Sequence, residues 1–383
     1  MLLRHLSLWA AFLLTAGFSL ASATAAAEDK AQPTAGRPDL CLRPPESESQ
    51  SADKPAAVGV YLSLGYWQTK QVDAVFPELA AHGVNLVIDY ALAPPEDENW
   101  TDEFQHYMNT AEANGIGVAF VLYPALKGMT PLTARAYFDN TVQQVRLLKG
   151  YSAIKAWYVH DEVLPWLTDK PGKHNYIITL NGMRNLYQMI AEEDPSRPQL
   201  CVWNHLPTFE QFHNAYNGNN TPNGMPKFYD DPQRYEQALR DVLQQTCDIV
   251  LIDSYPVGAP WREDEQPPKD VVQQVVARAA LLKAPEQPLY IVFQAFSWAQ
   301  YNHERIASSP FPTRGQMQEM VAAAHGAGAS GAIAYSWFDL TEDGIDGRDI
   351  PGRLQAVEDL SAVLSALARE GWPATAAPNG PES

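Results

Sequence analysis

The sequence predicts an α/β fold, a single (β/α)8 TIM barrel with long βα loops. Eight short apolar runs, rich in β-branched and aromatic residues, alternate along the chain with eight segments of helical pattern. Each run is apolar nearly throughout, which is typical of parallel strands covered on both faces. The span 56–372 carries the whole pattern, and one barrel of about 250 residues with loop insertions accounts for it.

The predicted strands are read from the apolar runs in chain order. They are AVGVYLS (57–63), VNLVIDY (84–90), IGVAFVLY (116–123), IKAWYVH (154–160), LCVWN (200–204), DIVLIDSY (248–255), LYIVFQAF (289–296) and GAIAYSW (331–337). Helices are predicted between them and after the last, at 69–82, 101–114, 131–149, 176–193, 232–245, 269–282, 313–325 and 353–370. Several helices stop at a glycine before the next strand, as at Gly83 and Gly115, where a left-handed residue ends a helix.

The two ends of the chain have a different composition from the barrel. Residues 1–27 combine Arg4 with an apolar stretch and small residues that offer cleavage sites ending at Ala23 or Ala27, so a secretory signal peptide is predicted. Residues 28–55 are expected to form a disordered tether, and residues 373–383 a disordered tail. The expected location is periplasmic or extracellular. The apolar stretch is too short to span a bilayer, so no membrane insertion is expected after cleavage.

The net charge and the cysteines of the chain bear on its ligands and on its disulfide bonding. The formal net charge of −18 repels polyanions, so nucleic acid and acidic polysaccharides are poor candidate ligands unless a local patch overrides the average, and neutral or amino sugars fit better. Cys201 and Cys247 open consecutive predicted strands, where either a disulfide or two buried thiols would fit, and Cys41 lies in the tether. The sequence does not determine the oligomeric state.

The predicted strand ends carry carboxylates and aromatic residues. Active sites of (β/α)8 barrels lie at the C-terminal ends of the strands, and long loops there, above all 205–231, are expected to wall a groove. Aromatic faces stack on sugar rings while carboxylates and amides hydrogen-bond hydroxyls, so this inventory predicts a carbohydrate cleft for an oligo- or polysaccharide. The expected substrate-binding residues are Asp89, His160, Asn204, His205, Tyr255, Gln294, Trp298 and Trp337.

The run AWYVHDE at the end of predicted strand four carries a family resemblance. Trp157, three residues, then Asp161-Glu162 resembles the Trp, three residues, Asn-Glu pattern in the clan of (β/α)8 retaining glycoside hydrolases. The sequence Asp253-Ser254-Tyr255 after strand six and Trp337 after strand eight are similar to that clan as well. The resemblance covers most of the barrel and implies that Glu162 is the proton donor. Asp161 replaces the clan's Asn, so its contact with a sugar hydroxyl becomes acceptor-only when it is ionised.

The end of predicted strand seven departs from the clan. Gln294 stands where the clan carries its nucleophilic Glu. An amide is a poor nucleophile, so the usual glycosyl-enzyme intermediate is not available.

Two hydrolytic schemes remain open. In an inverting scheme, a buried Glu162 with a raised pKa is the acid and an ionised Asp253 activates water, with the two carboxyls about 6.5–9.5 Å apart. In a substrate-assisted scheme, an acetamido group of the sugar is the nucleophile, and Asp161 and Glu162 act together. Neighbours on a strand point oppositely, so this second scheme requires the strand to have ended by Asp161.

Two further function classes stay as alternatives. A barrel that has lost hydrolysis would be a carbohydrate-binding protein, with Gln294 as the trace of that loss. A metal-dependent hydrolase would need His160 and His205 to meet Asp161 and Asp253. The primary interpretation, a secreted glycoside hydrolase, expects no metal and no cofactor, and the chain has no Gly-rich phosphate loop after strand one.

Overall fold

The computed structural model describes residues 55–66, 68–94, 101–122, 131–162, 180–204, 206–211, 231–260, 266–301, 308–341 and 350–373. Within these ranges, eight parallel strands pair in chain order and close into a barrel, with the last strand hydrogen-bonded to the first. Helices alternate with the strands. The predicted fold, a single (β/α)8 barrel, is confirmed.

Each strand lies on one of the predicted apolar runs. The strands are β1 Val58–Leu62, β2 Leu86–Asp89, β3 Gly117–Val121, β4 Ile154–Asp161, β5 Gln199–Trp203, β6 Ile249–Ser254, β7 Leu289–Gln294 and β8 Gly331–Tyr335. Most are shorter than predicted because the runs continue into the loops. Strand β8 ends at Tyr335, and the chain turns into a short helix at Trp337 where the sequence predicts the strand end.

The described helices form the outer layer. They are α1 Thr69–Ala81, α2 Thr101–Ala113, α3 Pro131–Leu148, α4 Leu180–Glu193, α5 Pro232–Thr246, α6 Pro268–Leu282, α7 Arg314–Gly326, α8 Trp337–Thr341 and α9 Arg353–Glu370. Several ends follow from local chemistry. Asp231 caps α5 by accepting hydrogen bonds from two backbone N–H groups, and Pro232 occupies the first turn. Helix α1 ends before Gly83, which has a φ of +79°.

Two cores result from the alternation of side chains along the strands. The inner core fills the barrel with residues such as Ile88, Tyr158, Leu200 and Ile333. The outer core lies between the barrel and the helices and contains Trp157. The Trp157 indole N–H donates to Asp194 Oδ2 at 3.0 Å, which is also 2.7 Å from Arg197 Nη1.

The described residues begin at residue 55 and end at residue 373. The predicted signal peptide therefore lies outside them, as do the tether except its last residue and the tail except its first. These three assignments stay predictions. His205, most of the loop 205–231 and Cys41 also lie outside the described residues. Cys201 and Cys247 are buried free thiols rather than a disulfide. None of the described helices combines the length and apolar character that a membrane crossing needs.

Candidate active site at the C-terminal end of the barrel

An irregularity in β4 determines which of its side chains face the barrel mouth. Tyr158 pairs with Leu200, but the next paired residue is His160, opposite Cys201, so Val159 is an extra residue in the ladder. Such a bulge re-aims the side chains that follow it. Asp161 pairs with Val202 of the inner core, so Tyr158 and Asp161 both lie on the inner face.

Glu162 leaves the strand at once. Its φ is +50°, a left-handed conformation that few residues other than glycine adopt. Because of this turn, Glu162 and Asp161 both act electrostatically on Asp253 and Tyr335, although they are neighbours in sequence. The strand itself continues through Asp161, and the turn at Glu162 is what brings the two adjacent carboxyls near the same residues.

Tyrosine hydroxyls hold the Asp161 carboxylate. Tyr158 donates to Oδ1 at 2.9 Å and Tyr90 donates to Oδ2 at 3.2 Å. Hydrogen bonds donated to both oxygens favour the ionised form of a carboxyl group. Burial and then the charge of Asp161 raise the pKa of Tyr61, whose hydroxyl lies 3.2 Å from that of Tyr158.

The surroundings of Asp253, near the end of β6, favour the protonated form of its carboxyl group rather than the ionised form. Its side chain is 2% exposed, and burial raises its pKa well above the usual value. Glu162 lies within hydrogen-bonding range of this carboxyl, and the charges of Glu162 and Asp161 raise the pKa further, against a hydrogen bond from Tyr255 that lowers it. Asp253 Oδ1 has no hydrogen-bond partner among the described residues. Burial and the two nearby carboxyls thus favour the protonated form of Asp253.

The inverting scheme expects an ionised Asp253 about 6.5–9.5 Å from Glu162, with a water between the two carboxyls. In the structure the pKa of Asp253 is raised by burial, and Glu162 lies within hydrogen-bonding range of it. Glu162 is exposed rather than buried. Its Oε2 accepts a hydrogen bond from Asn204 Nδ2 at 3.1 Å, so Asn204 at the end of β5 orients Glu162.

Gln294 is a structural residue in this fold. It is fully buried, its Oε1 accepts from Val257 N at 2.7 Å, and its Nε2 donates to Val257 O at 2.9 Å and Phe296 O at 3.0 Å. All of these partners are backbone atoms of the loops after β6 and β7. The sequence predicts that Gln294 binds substrate; in the structure its whole amide is engaged by backbone atoms inside the protein.

Asp89, which the sequence predicts to bind substrate, is engaged inside the protein. It is 1% exposed and accepts hydrogen bonds from the backbone N–H groups of Leu64, Gly65 and Ala91 and from the hydroxyl of Tyr107, at 2.8–3.1 Å. Asp89 therefore ties together the loops after β1 and β2.

His160 and Trp337 face away from the mouth as well. His160 pairs with Cys201, which belongs to the outer core, and is fully buried, so burial lowers its pKa to about 3. Neither ring nitrogen of His160 has a hydrogen-bond partner among the described residues. Trp337 is 1% exposed and packs in the outer core near His82. The sequence predicts that both residues contact substrate, whereas the structure buries both side chains in the outer core.

The aromatic lining of the mouth differs in part from the predicted one. Tyr255 and Trp298 are partly exposed there, as the sequence predicts. Tyr335, also partly exposed, belongs to the same lining but is missing from the predicted set, whereas Tyr158 is fully buried in the inner core. Tyr335 lies 5.3 Å from Tyr255 between ring centroids, and it would have been found had β8 been ended two residues earlier.

A metal site has little support in the described part of the chain. No three His, Cys, Asp or Glu side chains there are arranged to hold a metal ion. His160 lies on the outer side of β4, away from Asp161 and Asp253. The other histidine of that hypothesis, His205, lies outside the described residues.

Comparisons with known proteins agree on the fold. No family model matches the chain, and no curated protein matches its sequence. A protein from Bacteroides thetaiotaomicron provisionally assigned as an alpha-L-fucosidase is similar in structure, with a TM-score of 0.52 and 12% identity over 83% of this chain and 99% of that one. A beta-galactosidase from the psychrophilic Marinomonas ef1 also has a TM-score of 0.52 and 12% identity, over 81% of this chain and 59% of its own.

Proposed function

We propose that this protein is a glycoside hydrolase that cleaves oligo- or polysaccharides containing 2-acetamido sugars, with Glu162 as proton donor and the acetamido group of the substrate as nucleophile. One observation carries the proposal: Asp161, which accepts hydrogen bonds from Tyr90 and Tyr158 on its two oxygens, shares the site with Asp253, whose pKa is raised by burial and by its neighbouring carboxyls. A retaining enzyme with its own nucleophile would need a second free carboxylate opposite the acid, and Gln294 does not provide one.

The reaction would run in two steps that conserve atoms and charge. The acetamido carbonyl oxygen attacks the anomeric carbon, the glycosidic C–O bond breaks, and Glu162 transfers its proton to the leaving oxygen. Asp161 accepts a hydrogen bond from the acetamido N–H as the acetamido group becomes positively charged, and this hydrogen bond stabilises the cyclic intermediate. Water then attacks the same carbon, Glu162 takes the proton, and the product keeps its anomeric configuration.

Asp253 has a supporting role in this scheme. It lies in hydrogen-bonding range of Glu162, and two carboxyls so close are not both ionised. In this scheme Asp253 keeps its own proton throughout, and its hydroxyl donates a hydrogen bond to the Glu162 carboxylate that the first step leaves. Asn204 holds the other side of the Glu162 carboxyl.

The test compares N-acetylglucosamine oligomers with the matching glucose oligomers and records products and their anomeric configuration. Cleavage of the acetamido oligomers alone, with retention, supports the proposal, and Glu162→Gln should abolish it. Glu112→Gln, an exposed change at the C-terminal end of α2, is the matched control and should leave it intact. Cleavage with inversion, or cleavage that survives Glu162→Gln, would disprove the mechanism.

A carbohydrate-binding protein without hydrolysis is the second candidate, because Gln294 is engaged with the backbone and no carboxylate replaces it at the end of β7. It predicts glycan affinity without products, equal in wild type and Glu162→Gln. The same incubation followed by binding calorimetry separates the two candidates.

We also propose export of the protein, supported by the signal-like composition of residues 1–27. Amino-terminal sequencing of the mature protein from its native host tests this. A mature chain that begins after Ala23 or Ala27 supports export, and one that keeps residues 1–27 contradicts it.

A further inference from the structure

A strip of aromatic rings runs outward from the carboxyl site along the loop after β7. Tyr255 contacts Phe296 at 5.2 Å between ring centroids, and Phe296 contacts Trp298 at 4.9 Å and Tyr301 at 5.4 Å. Phe296 is buried at 1% exposure, whereas Trp298 is partly exposed and Tyr301 is 47% exposed. The two outer rings therefore rest on a buried ring that joins them to the site.

The polar atoms of the two outer rings are turned into the protein. The Trp298 indole N–H donates to the backbone oxygen of Tyr255 at 3.2 Å. The Tyr301 hydroxyl donates to Asp339 Oδ2 at 2.9 Å, and Ser336 Oγ donates to the same oxygen. With these groups bonded internally, the rings present mainly apolar surface to solvent.

The backbone below the rings is fixed before any ligand arrives. Trp298–Gln300 forms a single 3-10 turn closed by a capping box, in which Ser297 Oγ accepts from Ala299 N at 3.1 Å and Gln300 Oε1 accepts from Ser297 N at 2.9 Å. Gln300 Nε2 donates to the backbone oxygen of Asp339. A ligand that stacks here loses little entropy to ordering the protein, because the surface is preorganised.

We infer that Trp298 and Tyr301 form a second sugar-binding subsite, which stacks on a further unit of the same glycan whose scissile bond lies at Glu162. The inference rests on the proposed function for the identity of the ligand. The strip begins at Tyr255, which hydrogen-bonds Asp253, so the two subsites are continuous. Sugar rings present a C–H face to which an exposed, rigid aromatic ring is complementary.

Charge favours an uncharged sugar unit at this subsite. The described residues that follow the eight strand ends include no Lys or Arg, and Asp339 lies beneath Tyr301. A uronic acid or a sulfated unit would meet negative charge there, whereas a neutral or acetamido unit would not.

The experiment measures binding of N-acetylglucosamine oligomers of one to five units by calorimetry, with Glu162→Gln protein so that no substrate is consumed. Affinity should rise with chain length until the subsite is filled. Tyr301→Ala should lower the affinity for long oligomers about five- to tenfold and leave the shortest bound oligomer unchanged. Tyr301→Phe is the matched control, because it keeps the ring and loses only the bond to Asp339, and it should bind long oligomers like the parent.

The outcomes separate this inference from the proposed function. Equal affinity of Tyr301→Ala and the parent for every length overturns the subsite, even where wild type cleaves the glycan. Length-dependent binding that Tyr301→Ala weakens supports the subsite, even where wild type releases no product and hydrolysis is disproved. A loss of affinity that Tyr301→Phe shares equally assigns the effect to the Asp339 bond and overturns the stacking role. Absence of binding at every length overturns both.

Discussion

The side chain of Gln294 holds the backbone of Val257 by both of its polar atoms. Gln294 Oε1 accepts from Val257 N at 2.7 Å while Nε2 donates to Val257 O at 2.9 Å, so one amide fixes one residue of the neighbouring loop in both directions. Only a group that donates and accepts side by side can do this. The amide at the end of β7 is thus required by the fold, whatever chemistry occurs beside it.

We expect Gln294→Glu to destabilise the protein and to create no nucleophile. A carboxylate at this position would face the backbone oxygens of Val257 and Phe296 without a donor, and a buried unsatisfied charge costs about 3 kcal/mol or more. Urea unfolding measures the loss. Gln105→Glu, an exposed change on α2, is the control and should have an effect close to zero. A Gln294→Glu protein of wild-type stability that gains retaining hydrolysis of neutral glycosides would contradict this account.

We expect Asp253→Asn to make stability less dependent on pH. The folded-state pKa of Asp253 is raised, so the native protein binds more protons than the unfolded chain between the ordinary value of 3.8 and the raised value. Wild type therefore loses stability as pH rises through that window, by at most about 1.4 kcal/mol per pH unit for one proton. Asn cannot ionise, so the variant should gain on wild type as pH rises. Urea unfolding of both proteins from pH 4 to pH 8 gives this difference.

Asp194→Asn is the control of opposite sign. Burial alone would raise the pKa of Asp194, but hydrogen bonds from Ser196 and Arg197 bring it below the usual value. The ionised Asp194 therefore stabilises the fold at pH values above the pKa that this group has in the unfolded chain. This stabilisation is lost as the pH falls through the lower pKa that Asp194 has in the folded protein. Wild type should exceed Asp194→Asn at neutral pH, and the gap should narrow in acid. For the first variant, Asp253→Asn, a pH profile of stability identical to that of wild type would contradict a raised folded-state pKa of Asp253.

The fold was predictable from sequence because its signals are local. Each apolar run that becomes a strand can be recognised within five to eight residues, and glycines such as Gly83 mark helix ends by their backbone conformation. The position of Glu162 at the mouth followed from the same pattern. No longer-range information was needed for either.

The roles of individual side chains were less predictable because they depend on distant parts of the chain. The bulge at Val159 turns His160 outward and Asp161 inward, which reverses the order that simple alternation predicts. The raised pKa of Asp253 depends on burial and on Glu162, 91 positions away in sequence. The partners of Gln294 are backbone atoms, and sequence periodicity carries no information about them.

We expect Tyr158→Phe to lower the rate of cleavage with little effect on substrate binding. The change removes the 2.9 Å hydrogen bond to Asp161 Oδ1, so Asp161 is less firmly held where positive charge develops on the acetamido group. A fall in kcat of about tenfold or more, with KM within about twofold, is expected. Tyr187→Phe is the matched control, since it removes a Tyr–Asp hydrogen bond to Asp248 just before β6 begins. An unchanged kcat in Tyr158→Phe would remove Asp161 from the mechanism.

We expect Asp89→Asn to reduce stability and leave the chemistry intact. Each of the two Asp89 oxygens accepts two hydrogen bonds. Oδ1 accepts from the N–H groups of Leu64 and Ala91, and Oδ2 accepts from the N–H of Gly65 and the hydroxyl of Tyr107. An amide NH2 in place of either oxygen would therefore face two donors. The loss should be about 2–4 kcal/mol, measured by urea unfolding. Below the unfolding transition, kcat per folded molecule should equal that of wild type. Asp89 is 1% exposed, so its substitution should affect the reaction only through the stability of the fold. A large loss of kcat in a variant of full stability would instead assign Asp89 a direct role in substrate binding.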